Sequence, residues 1–190
     1  MQTAKAQSLP PFPESRSCYL QLSQELAARA IALRPATEAD LPYLYGLFAS
    51  TRADEMSRVP WPQAAKRVFL EDQFALQHQH YLTYYADADF LVIERGGTAV
   101  GRYYLRRAEP DYLIVDISLE PDVQGLGIGS ALIEWTQSDA QRRGCGICLS
   151  VMADNAAARR LYARLSFDAS GQAESGYERM RWAPSAASVS

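Results

Sequence analysis

Hydrophobic positions change period several times along this chain, and the changes mark its elements. IALRPA, at 31–36, reads as a short strand that Pro35 ends. TEADLPYLYGLFAS follows. Thr37 with Asp40 forms a capping-box variant, Asp standing for the usual Glu or Gln, so a helix should start there. WPQAAKRVFLEDQFALQHQHYL predicts a second helix with Pro62 in its first turn and Phe69, Gln73, Leu76 and Gln77 near one stripe. DFLVIERGGTAVGRYYLRRAE gives two strands about a Gly96-Gly97 turn, and DYLIVDISLEP a third strand stopped by Pro121. After a glycine-rich stretch come a helix over about 127–143, the strand ICLSV, a helix over about 155–165 and a last strand near YERMRW. No internal repeat is visible. This order predicts an α/β (α+β) mixed sheet with helices on both faces, and open sheets of that kind bind ligands where strands diverge.

The ends read differently. Residues 1–30 form an arm: Pro10, Pro11 and Pro13 among polar neighbours argue for flexibility, and 19–30 has helical composition. Residues 31–182 form the domain, and 183–190 a disordered tail. The full 190 residues suit one domain plus a short extension.

Charge and cysteine content narrow the function. A net charge of -3 argues against nucleic acid as main partner, because phosphate backbones need a basic surface. No apolar run approaches the ~18 residues that span a bilayer, and the first residues lack the apolar core of a secretory signal. The expectation is a cytoplasmic protein with no membrane partner. Cys18, Cys145 and Cys148 make no disulfide framework and read as reduced thiols. The C-x-x-C of Cys145 and Cys148 lacks a second pair or a nearby His, and strand alternation puts the two on opposite faces, so no metal is expected.

The stretch VQGLGIGSALIEW sets Gly125, Gly127 and Gly129 where a strand meets a helix. A helix start leaves unpaired N–H groups with partial positive charge, and residues without side chains let an anion approach them. These features make a phosphate site. It is not a P-loop, since no Gly-Lys-Ser/Thr follows, and its G-x-G-x-G spacing is not the dinucleotide G-x-G-x-x-G.

With Gln124 the stretch reads Q-x-x-G-x-G, and here the chain resembles the GNAT superfamily of N-acetyltransferases. ADNAAARRLYARLSF, from Ala153, resembles a second block of that family: Asn155, Ala158, Tyr162, Arg164 and Phe167 match, while Ser166 stands where glycine is usual. That departure is expected to change the turn at the helix end. The resemblance covers about 31–182 and is strongest over 112–167. It implies a mostly antiparallel sheet of about six or seven strands with about four helices, and acetyl-coenzyme A as co-substrate. It implies that Gln124, Gly125, Leu126, Gly127, Ile128, Gly129 and Ser130 bind the diphosphate. Ile117, Ser118 and Leu119, on a strand splayed from its neighbour, would bond the pantetheine amides. A strand N–H would also polarise the thioester carbonyl.

The resemblance makes Tyr162 the general acid to the coenzyme A thiolate; the other reading is a tyrosine packed on the sheet. Asn155 would cap its helix and bond the pantetheine arm. For the base, Asp116 interrupts the apolar run LIVDIS and is the first candidate, since burial raises a carboxyl's affinity for protons; the other reading is an exposed strand residue. Glu120 is second. His78 and His80 are expected in solvent, with a role as acceptor-site base the alternative. YLTYYADADF, with Trp61 and Phe74, reads either as an acceptor pocket for a cationic amine or as core packing. The expected reaction is acetyl transfer to a primary amine, on a small molecule or a peptide, by direct attack. A non-catalytic acyl-coenzyme A sensor or assembly module and a nucleotide binder are the alternatives. A homodimer is left open.

Overall fold

Two apolar clusters on opposite faces of one sheet organise the chain, which a computed structural model describes over residues 9–14, 22–171 and 176–185. The strands are β1 (Ile31–Pro35), β2 (Asp89–Arg95), β3 (Thr98–Arg106), β4 (Asp111–Leu119), β5 (Gly146–Met152), β6 (Asp168–Ala169) and β7 (Tyr177–Trp182). They lie in the order β1-β2-β3-β4-β5-β7-β6, antiparallel throughout except for β4 beside β5. The helices are α1 (Gln24–Ala28), α2 (Leu41–Ser50), α3 (Ala53–Ser57), α4 (Gln63–Tyr84), α5 (Ile128–Arg143) and α6 (Ala156–Arg164).

Strand alternation divides the apolar side chains between the faces. Leu91, Ile93, Tyr103, Leu105, Tyr112 and Ile114 join one cluster with residues of α1, α5 and α6. Phe90, Val92 and Tyr104 join the other with residues of α2, α3 and α4. Both faces of β2 are covered, so Phe90 to Ile93 are all buried despite their alternation.

Most expected elements are present, with six helices among the described residues where about four were expected. Of the other two, α1 lies within 19–30, where helical composition was read, and α3, which was not expected, has five residues and lacks the length that makes a periodic signal readable. The Thr37 capping box forms: the Thr37 N–H donates to Asp40 Oδ2 at 2.8 Å. Arg34 holds the Asp40 carboxyl in a two-donor fork, 2.6 and 2.8 Å, which pulls its pKa down to about 2 against the effect of burial.

The face of α4 differs from the expectation. Leu70, Phe74 and His78, spaced by four, are buried, while Leu76 is 61% exposed and Gln73 faces solvent. The second cluster sets this face, which a sequence with apolar residues all round the helix does not reveal. Pro62 is the residue before α4, not part of its first turn.

The proline-rich segment read as flexible is seated on α4 where it is described. Phe12 packs edge-on to His78 at 4.9 Å and beside Phe90 at 5.5 Å. His78, expected in solvent, is thereby buried, and its Nε2 donates to the Pro10 carbonyl at 2.8 Å. Burial lowers the pKa of the ring. His80 is exposed, as expected. Of the residues read as a tail, Ser185 exchanges hydrogen bonds with Gln141 of α5; 186–190 lie outside the described residues, as do 15–21, where the arm's helix was expected to begin.

Candidate active site

The site begins where two parallel strands part. β4 and β5 pair only from Asp111 to Ile114. The register of β3 against β4 then skips Val115, a bulge, and β4 continues to Leu119 along β3 alone. Ile117, Ser118 and Leu119 therefore have backbone groups facing a gap rather than a strand, the placement expected for them. The polar loop side chain closest to this edge is Gln124, whose Nε2 donates to the Leu119 carbonyl at 2.9 Å and ties the glycine loop to the end of the strand.

The loop runs straight into α5. Gly127, the residue before the helix, has φ +79°, a conformation that costs other residues roughly 1–2 kcal/mol. No side chain caps this end, so the first-turn amides of Ile128, Gly129 and Ser130 lack an acceptor from the helix or from a cap. Ile128 is buried and anchors the turn; Gly125 and Leu126 are exposed. A Cβ on Gly129 would lie 3.9 Å from Leu119 and Leu161 and 4.0 Å from Ile117. The strand end, the helix start and α6 thus converge on one spot. Bare amides beside unpaired strand edges fit a ligand with an anionic group and an amide-bearing arm.

α6 brings the two residues of the second motif. Asn155 caps it, its Oδ1 accepting from the Ala158 N–H at 3.0 Å, which leaves the side-chain amide nitrogen available. Tyr162 is buried at 7% exposure against Phe167, and no described residue hydrogen-bonds its hydroxyl. Burial, with the nearby Asp116 charge, pushes the phenol up to about 12, so it is protonated at neutral pH. Ser166 does not change the turn, contrary to expectation. It takes φ +62°, its N–H donates to Ala163 and that of Phe167 to Tyr162, the same closing pattern that glycine makes at helix ends.

Asp116 lies on the other face of the sheet from Tyr162, beside Tyr104 in register. The sequence offered either a lone buried base or an exposed strand residue at this position. Instead Oδ2 accepts from Arg102 and Tyr81, each at 2.7 Å, and Oδ1 accepts from Ser118 at 2.7 Å. Oδ2 is committed to a buried guanidinium, itself 5% exposed, and Oδ1 to the Ser118 hydroxyl, which argues against a base role. Tyr81 and Phe74 of the expected acceptor pocket are thereby accounted for in packing, and Trp61, 47% exposed, stands apart against Phe69. Glu120, at the mouth of the same face, has one long contact, 3.5 Å from Ser50. Beside it, burial and the Glu120 charge raise the pKa of Tyr43, whose hydroxyl is buried without a partner, as is Arg102 Nε.

Arg102 and Tyr43 were not picked out from the sequence, and Tyr81 was read only as part of an acceptor pocket or of the core. The one available signal was Arg102 itself, a cation inside the apolar run of β3 that needed an anion from a neighbouring strand.

Comparison with known proteins agrees with this geometry. The model of the acetyltransferase (GNAT) family matches residues 47–167. A mycothiol acetyltransferase of Brachybacterium faecium is 32% identical over 152 residues, 73% of this chain; the chain spans about half of that relative's length, 46%. Among solved structures, the PaiA N-acetyltransferase of Thermoplasma acidophilum in complex with coenzyme A superposes with a TM-score of 0.61 at 15% identity, over 80% of this chain and 98% of that one. The ribosomal-protein-S18-alanine N-acetyltransferase of Escherichia coli does so at 0.56 and 20%, over 83% and 96%. The two superpositions establish the fold, and the family match reaches from α2 through the glycine loop to the end of α6: this chain belongs to the GNAT acetyltransferase family.

Proposed function

We propose that the protein moves the acetyl group of acetyl-coenzyme A to a primary amine by direct attack. The observation that carries this reading is the end of β4–β5 pairing at Ile114, on the strand whose far end leads through the loop into an uncapped, glycine-led helix start. The amides of Gly127 to Ser130 hold the diphosphate, and Ile117, Ser118 and Leu119, with Asn155, hold the pantetheine arm. A strand N–H polarises the thioester carbonyl. The amine nitrogen bonds to the carbonyl carbon, the C–S bond breaks, Tyr162 delivers a proton to the departing sulfur, and the proton that the nitrogen sheds after attack restores the Tyr162 phenol. The amine arrives mostly protonated, with a pKa of about 10.4 if lysine-like, so a base must take its proton. Glu120 does so, directly or through water, because among the described residues its carboxylate has one long contact, to Ser50, where both oxygens of Asp116 are held at 2.7 Å.

The acceptor enters on the face of α2 and α4, where Tyr43 and Arg102 keep buried polar atoms unpaired. Its class is a small-molecule or peptide amine; nucleic acid is no partner of a chain with net charge -3. No helix among the described residues is long and apolar enough to cross a membrane. Cys145 and Cys148 are free and buried, which suits the cytoplasm.

The test is thiol release from acetyl-coenzyme A across a panel of small-molecule and peptide amines, for wild type and Tyr162→Phe. Release on at least one amine, reduced in the variant, is expected. Tight coenzyme binding with no release on any amine would instead make the protein an acyl-coenzyme A sensor or assembly module.

A further inference from the structure

We propose that Arg29 is a diphosphate-binding residue of the coenzyme site, brought there by the segment that precedes the domain. The inference rests on the acetyl-coenzyme A reading above. Arg29 Nη1 donates to the Leu126 carbonyl at 2.8 Å and lies 3.0 Å from where a Gly127 Cβ would stand. The guanidinium therefore sits against the glycine loop at the first turn of α5. Its support is firm: α1 is pinned by Leu26, fully buried among residues of α5 and β1. Ala30 then takes φ +56° to turn the chain into β1.

The electrostatics of this placement call for an anion. A guanidinium stands beside the positive end of a 16-residue helix, where a cation is disfavoured. The one carboxylate on it among the described residues, Glu25 at 2.9 Å, is more than half exposed and offers little compensation. A diphosphate answers both charges at once, and the planar fork of arginine suits its oxygens. Arg29 also lies outside the residues matched by the family model, so this contact belongs to the chain's own extension.

The experiment compares wild type, Arg29→Gln and Arg29→Lys by calorimetric titration with coenzyme A, and with acetyl-pantetheine, which lacks the diphosphate, as a competitor. Arg29 is a surface residue, and thermal melts verify that both variants fold. Arg29→Gln is expected to raise the Kd for coenzyme A about tenfold, the equivalent of 1.4 kcal/mol, with Arg29→Lys between it and wild type. Acetyl-pantetheine should bind all three alike, and the difference on coenzyme A should shrink in 0.5–1 M salt, where the Debye length falls towards about 3 Å. A Kd for coenzyme A within twofold of wild type in Arg29→Gln overturns the proposal. So does equal weakening of acetyl-pantetheine, which would make Arg29 a prop for the loop alone. Failure of wild type to bind coenzyme A is a separate result: it defeats the coenzyme reading, and this inference with it.

Discussion

The pair Arg102–Asp116 separates a structural carboxylate from a catalytic one. At 2.7 Å, with an effective dielectric of about 20, its gross attraction is about 6 kcal/mol, and desolvation of two nearly buried ions cancels much of it. The cost of breaking it is set by what is left behind. Arg102→Met leaves Asp116 with two hydroxyl donors and no counter-ion; Asp116→Asn leaves a buried guanidinium whose Nε already has no partner. Each single change should cost about 3–5 kcal/mol. The double variant should recover part of that, with a coupling of about 1–3 kcal/mol. Urea unfolding followed by circular dichroism measures this; with m near 2 kcal/mol per M, each single variant moves the midpoint by about 1.5–2.5 M. Under conditions where it is folded, Asp116→Asn should keep kcat within about tenfold of wild type, whereas loss of a base costs about 10²–10⁴-fold. Additive single effects below about 1 kcal/mol would refute the energetic argument. A stable Asp116→Asn protein with its turnover lost would return the base role to Asp116.

Other consequences are open to measurement. Glu120→Gln should lower kcat by about 10²-fold or more, with stability nearly unchanged. Tyr162→Phe should lower kcat by about 10²–10⁴-fold with little change in coenzyme affinity; an unchanged kcat would leave the tyrosine a packing residue. Ser166→Gly relieves a left-handed residue at an exposed helix end, so it should stabilise by about 0.5–1 kcal/mol, or about 1–4 °C in Tm, measured by calorimetry. The pKa of His78 is lowered in the folded state, so the unfolded chain binds more protons in the acid range. Its contribution is present above the unfolded value of about 6.5 and is lost as pH falls below it, which faster proteolysis within residues 9–14 at pH 5 than at pH 7.5 should reveal.

Much of this protein was legible one residue at a time. Strand and helix identity came from hydrophobic period, the start of α2 from Thr37 and Asp40, and the glycine-led start of α5 from the spacing of its glycines, because each depends on neighbours within about a turn or a strand pair. The placement of Tyr162 in the last turn of α6 followed from a local motif for the same reason. Tertiary structure alone decided the rest. Asp116 reads from sequence as a lone buried carboxylate; its meaning lies in Arg102, Ser118 and Tyr81, which strand register and the packing of α4 bring to it. His78 became buried only when a proline-rich segment 68 residues away lay down on it. Arg29 meets Leu126 across 97 residues of chain. Local conformational preference carries no information about such contacts, since their energy depends on which surfaces the folded sheet presents to one another, and no pattern along the chain records that.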